Sequence, residues 1–179
     1  MQYQTFTEVF TANDRIRERL IATVSGLDDN AAAARPDING WSVTQIVEHI
    51  SIVDEGMCKI CAKLLSDAGE NGSGSVYLSP EFIAKMSDMV NTKLNAPERV
   101  RPTGEQSIAE SLSRLSSNSD RLNEIRDRFE IRDTTEKKFP HPYFGNLSAA
   151  EWLVLRGLHE SRHIDQIARI IRKSYLNEV

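Results

Sequence analysis

The chain has 179 residues, 22 Lys and Arg against 26 Asp and Glu, a net charge of −4 and a pI near 5.6. Its length suits one domain with a full hydrophobic core, so residues 1–179 are read as a single unit. The acidic balance without a basic block speaks against a nucleic-acid or anionic-membrane partner, and no apolar run reaches the roughly 18 residues of a membrane span. The N-terminal run MQYQTFTEVF lacks the charged start and apolar stretch of a secretion signal, and the cytoplasm is the expected location. Thr5 and Glu8 instead fit a capping box. They open a helix to about Leu27, with Val9, Ile16, Leu20 and Val24 along one face.

Pro36 and Gly40 punctuate the break that follows. Ser42 and Gln45 then form a second capping box, just after Trp41. Ile46, Ile50, Val53, Met57, Ile60 and Leu64 repeat at the 4-3 spacing of a core-facing stripe. His49 lies one residue off that stripe, at the edge of the inward face. Cys58 and Cys61 are spaced C-x-x-C, the pattern of a redox pair or half a zinc site. They fall well inside a helix with no second cysteine pair, and are read as small side chains in or near the core.

Residues 67–78, with DAGENGSGS, read as the most flexible stretch. Ser79 and Pro80 open a short helix to about Leu94, carrying Phe82, Met86 and Met89 or Val90. Ile108, Leu112, Leu115, Leu122, Ile125 and Phe129 define one more long amphipathic helix. After the loop KKFPHPYFGN, Ser148 and Glu151 cap a last helix to about Tyr175. Almost no strand pattern is visible. The expected fold is all-α: a four-helix bundle in up-down-up-down order with an extra short helix.

The last helix carries HESRH, residues 159–163. His159 and His163, four apart, share one face about 6 Å apart along the axis, and Leu155, Ile167 and Ile170 in the same rhythm turn them inward. With His49 they form a candidate three-histidine metal site in the bundle core. Imidazole donors suit zinc, nickel or iron without choosing among them, and three protein ligands leave a position for water or substrate. Gln45 and Gln166, each one turn from a histidine, are candidates to orient the rings. Ordinary core histidines are the plainer alternative, set against the desolvation cost of burying three.

HESRH also matches the H-E-x-x-H pattern of zinc proteases, with Glu160 as general base. Only 16 residues follow His163, leaving little room for a third ligand there, and no strand is available to align a peptide. That reading is disfavoured. His141, in FPHPYFGN, is expected to dock its loop on the bundle rather than bind metal. Arg162, Arg169, Arg172 and Lys173 are expected to form a solvated face, with a role in holding an anionic thiol as the functional alternative.

Trp41-Ser42 before the helix of His49, then HPYFGNLSAAEWL, then the paired histidines of HESRHIDQIARI, resemble the DinB/YfiT group of the DinB-like superfamily, over nearly the whole chain. The resemblance implies a four-helix bundle, a divalent metal on His49, His159 and His163, and often a homodimer. Relatives in that group include S-transferases and isomerases that use low-molecular-weight thiols such as bacillithiol or mycothiol. It therefore implies a metal-dependent transferase or hydrolase acting on a small molecule, with such a thiol as cosubstrate. The competing class is a non-catalytic metal-binding, dimerisation or stress-related bundle.

Overall fold

The computed structural model describes residues 3–89 and 95–176. Each capping box foreseen in the sequence opens a helix. Thr5 Oγ1 accepts from Glu8 N at 3.3 Å at the head of α1 (Phe6–Val24). After the short α2 (Asp29–Ala33), Ser42 Oγ accepts from Gln45 N at 3.2 Å at the head of α3 (Val43–Ser66). Ser79 caps α4 (Pro80–Met89) through Phe82 N; the continuation expected over Val90–Leu94 lies outside the described residues. A 3-10 turn at Glu98–Val100 precedes α5 (Ile108–Asn123), which Ser107 and Glu110 cap reciprocally. Ser148 and Glu151 do the same for α7 (Ala149–Leu176).

Besides the short α2, which forms where only a break was expected, the chain departs from expectation in four places. The helix expected to run unbroken to Phe129 stops at Asn123, leaves helical geometry at Ile125 (φ −109°, ψ 9°) and resumes as α6 (Arg126–Ile131). That bend brings Phe129 into the core, 5.3 Å from the Phe6 ring and 5.6 Å from the Phe10 ring. The loop before α7 is an antiparallel hairpin, β1 (Lys138–His141) with β2 (Gly145–Ser148), whose four-residue strands are too short for alternation to register. Residues 67–78 are pinned rather than loose. Gly72 N bonds Ile131 O at 3.0 Å and Val76 N bonds Gln4 O at 3.1 Å, and a Cβ on Gly72 would stand 2.4 Å from Arg132 O.

The fourth departure is direction. Asn13 meets Leu153 and Arg17 meets Glu160, so α1 and α7 run the same way. His49 meets His159, Asp54 meets Arg156 and Cys61 meets Ala149, so α3 runs against α7. Arg17 meets Leu115 while Phe10 meets Phe129, so the α5–α6 segment opposes α1 and runs alongside α3. The bundle is therefore up-down-down-up rather than up-down-up-down. The long connection through α4 carries the chain back to the end of the bundle where α3 began.

α3 is the central helix, packed on α5 and on α7, while α7 also packs on α1. This double coverage widens its buried face beyond the simple stripe, to Val47, Ser51, Asp54, Cys61 and Leu65. The apolar core falls into two clusters. One holds Phe6, Phe10, Leu65, Phe82, Phe129 and Leu153, and the other Leu20, Val43, Ile46, Leu115, Ile164 and Ile167. Between them, at matching heights on four helices, lie Asn13, Arg17, Asp54, Asn118, Arg156 and Glu160. Close approach of α1 to α7 needs Gly157, where a Cβ would stand 2.1 Å from Asn13 Oδ1.

Candidate metal centre

The structure brings His49, His159 and His163 together. One nitrogen from each falls within 4.8 Å of the others, and His49 Nε2 lies 3.3 Å from His159 Nε2. Zinc binds imidazole nitrogen at about 2.0–2.1 Å, so two such nitrogens on a tetrahedral ion stand about 3.3 Å apart. The donor set fits a divalent cation. The inward turn of all three follows from helix periodicity: His159 and His163 are one turn apart on α7, and His49 faces them from the antiparallel α3. His49 is buried, while His159 and His163 are half-buried.

Two of the rings are held by second partners. His49 Nδ1–H donates to the Val100 carbonyl at 2.7 Å, leaving Nε2 as an acceptor toward the other two histidines, and the Trp41 ring lies 4.9 Å from its centroid. His163 Nδ1–H donates to Gln166 Oε1 at 2.8 Å. This arrangement, in which the far nitrogen of each ring is tied down, is the usual support for metal-binding histidines. Gln166 thus does what its spacing suggested. Gln45 does not: its Oε1 accepts from Ser42 N at 3.0 Å and completes the helix cap.

Burial lowers the pKa of all three rings, and crowding among them adds to it for the two on α7. His163 falls to about 4 despite its bond to Gln166, His159 lies well below its ordinary value, and His49 is lowered despite its bond to Val100. Each shift favours the uncharged ring, the form that ligates.

The Val100 carbonyl is a backbone group and leaves no mark in the sequence. Its placement depends on Glu48, which does. This carboxylate, 0% exposed, accepts from Thr103 N at 2.9 Å, Thr103 Oγ1 at 2.7 Å and Gly104 N at 2.8 Å. Burial alone pushes the Glu48 carboxyl up. Those hydrogen bonds and the charge of Arg114 outweigh it, leaving a net lowering. Consecutive residues of α3 therefore grip the same segment, Glu48 at 103–104 and His49 at 100.

Glu160 does not face the cluster as a general base. Its carboxylate is held bidentately by Arg17, at 2.7 and 2.9 Å, inside the polar layer between the two apolar clusters. Arg17 also reaches Asp54 at 3.2 Å, Arg156 reaches Asp54 at 2.6 Å, and both arginines bond Ser119 Oγ. The protease reading of H-E-x-x-H loses its base to this network. In the sequence Asp54 lies beside the stripe of Ile50, Val53 and Met57, and Arg17 stands one turn before Leu20, with nothing local to pair them.

Cys58 and Cys61 are buried and unlinked, as their position inside the helix suggested. Burial, helped by Asp54, pushes the Cys58 thiol up to about 12, and burial raises Cys61 as well. Neither is a thiolate at neutral pH. Arg169, Arg172 and Lys173 are exposed and Arg162 is half-buried. His141 is the last residue of β1, its ring 5.2 Å from Trp152 and 5.0 Å from Phe144, which realises the expected docking. Burial and the nearby Arg99 lower its pKa to about 4, and its own charge is felt at His159.

The sequence model of the DinB superfamily matches residues 12–167. The chain belongs to the DinB superfamily. It is 22% identical over 156 residues to the uncharacterized protein YuaE of Bacillus subtilis (strain 168), covering 84% of this chain and 89% of that one. The crystal structure of TT2238, a four-helix bundle protein, superimposes with a TM-score of 0.59 at 19% identity, over 92% of this chain and 98% of that one. At that identity the likeness is one of fold. The three-histidine group of this DinB-superfamily chain rests on its own geometry. No helix among its described residues is long and apolar enough to cross a membrane.

Proposed function

We propose that this protein is a divalent-metal-dependent enzyme, a thiol-dependent S-transferase or a related hydrolase. His49, His159 and His163 hold the ion, and the cosubstrate is a low-molecular-weight thiol. The observation that carries this reading is the convergence of three imidazoles, two with their far nitrogens tied to Val100 O and Gln166 Oε1. When bound, a divalent ion supplies Lewis acidity that lowers the pKa of a thiol or water beside it. The chain's own residues do the rest. Val100 O, Trp41 and Gln166 fix ring orientation, so little reorganisation is needed on binding. The half-buried side of His159 and His163 admits a small molecule, which the proposal takes as the partner in preference to nucleic acid or membrane. The cytoplasm and a homodimeric state belong to the same proposal.

Elemental mass spectrometry on tag-free protein, beside a His49→Ala/His159→Ala/His163→Ala variant, tests it first. The expected result is one zinc, nickel or iron per chain, absent from the variant. Turnover of a thiol with an electrophile that tracks metal content then separates an enzyme from a metal-binding bundle. If the wild type, offered each metal, holds no more than the variant, the proposal is wrong.

A further inference from the structure

We propose that His141 is a neutral hydrogen-bond donor, through Nε2–H, to a carboxylate or carbonyl of the thiol ligand bound at the three-histidine centre. This rests on the metal reading above and adds a recognition element to it. The tautomer follows from the hairpin. Tyr143 N and Phe144 N both donate to His141 Nδ1, at 3.1 and 3.2 Å. A neutral imidazole has one acceptor nitrogen and one N–H, so accepting at Nδ1 places the hydrogen on Nε2. Among the described residues no protein acceptor lies within hydrogen-bonding distance of that N–H.

The ring is not free to turn away. Phe144 meets it edge-on with centroids 5.0 Å apart, Trp152 stands at 5.2 Å and Tyr143 at 6.2 Å. Its place along α7 is set by Trp152, seven residues before His159. Seven residues are two turns, so Trp152 and His159 share a face with a rise of about 10.5 Å between them. His141, packed on Trp152, stands over the same face on the N-terminal side of the histidines.

A second tie closes the arrangement. The Tyr143 hydroxyl donates to Asn95 O, joining the hairpin turn to the segment whose Val100 carbonyl holds His49. Lys85 Nζ anchors the same turn from α4, donating to Phe144 O at 3.0 Å. The donor is thus fixed to the same scaffold as the ligating rings but set apart from them. That spacing selects a ligand whose acceptor group lies several atoms from its sulfur.

The test uses cobalt-loaded full-length protein, with thiol binding read from the cobalt–thiolate absorption band. The probes are 3-mercaptopropionate, which carries a carboxylate, and 1-propanethiol, which does not. Wild type is expected to prefer 3-mercaptopropionate. His141→Phe is expected to weaken it about tenfold or more while leaving 1-propanethiol unchanged, and His141→Gln, which keeps an N–H, to restore part of the preference. In the zinc form of the wild type, nitrogen-15 spectra of the ring are expected to show the Nε2–H tautomer, with that resonance moving when 3-mercaptopropionate is added. A wild type without preference, an Nδ1–H tautomer, or equal weakening of both thiols by His141→Phe overturns the donor role while leaving the metal reading intact. A wild type that takes up no cobalt, zinc, nickel or iron overturns both.

Discussion

Asp54→Asn removes one negative charge from a buried group of four that sums to zero: Arg17 and Arg156 against Asp54 and Glu160. Asp54 is 3% exposed, stands 2.6 Å from Arg156 Nε and 3.2 Å from Arg17 Nη2, and faces an Arg156 that is itself 6% exposed. Asparagine keeps the shape and leaves a net positive charge between two apolar clusters. A pair of unit charges 4 Å apart interacts by about 4 kcal/mol at an effective dielectric of 20. Breaking a buried pair from one side costs about 3–5 kcal/mol in practice. For a chain of this size the melting temperature should fall by roughly 10 °C. Arg156→Met added to Asp54→Asn restores neutrality, with Arg17 and Glu160 still paired, and should recover most of the loss. Urea titrations of the two single variants and the double measure the cycle. A loss under about 1 kcal/mol for Asp54→Asn, or a double variant that falls by the sum of the singles, would refute the view that charge balance governs this layer.

Three further outcomes are expected. Gln166→Leu frees the His163 ring and should weaken metal affinity by about 10–100-fold with the fold intact, measured by competition with a chelator of known affinity. Gly157→Ala sets a Cβ 2.1 Å from Asn13 Oδ1 and 3.2 Å from Ile16 Cδ1, while Asn13 is committed to Leu153 O. It should destabilise the protein by about 1–3 kcal/mol in denaturant titrations, and a neutral result would show that α1 shifts freely on α7. The third concerns pH. The folded-state pKa of His141, lowered by burial and Arg99 to about 4, lies below that of the unfolded chain, so the unfolded state binds more protons between about 4 and 6.5. Metal-free protein should therefore lose stability as pH falls through that window. His141→Phe should show a shallower slope there in urea midpoints, and an identical slope would exclude this source.

What was legible in the sequence was local. The boxes at Thr5 and Glu8, Ser42 and Gln45, and Ser148 and Glu151 involve residues three apart, and each opens its helix where expected. The histidine pair is equally local, and His49 could be joined to it because its position beside the apolar stripe turned it inward. What was hidden depended on distant contacts. The direction of α5 is decided by how a long connection crosses the bundle, and helix periodicity is the same in either direction. Glu160 was ambiguous for the same reason: its partner Arg17 lies 143 residues away. Gly72 was misread because a glycine that permits close backbone approach looks, in isolation, like one that permits flexibility. The hairpin escaped because Pro140 and a turn built on His141 Nδ1 replace the usual signals of a strand pair.

The shared hold of Glu48 and His49 on residues 100–104 links the site to slow local opening of the backbone. For that segment to lift away, the hydrogen bonds at Thr103, Gly104 and Val100 must break together, and losing the last releases the His49 ring. Any ligand that needs His49 in place must then suppress the opening by as much as it gains from the oriented ring. The Thr103 and Gly104 amide protons, bonded to a carboxylate that touches no ligand itself, become exchange-protected reporters of site occupancy. Their protection can be followed without substrate, turnover or any knowledge of the reaction.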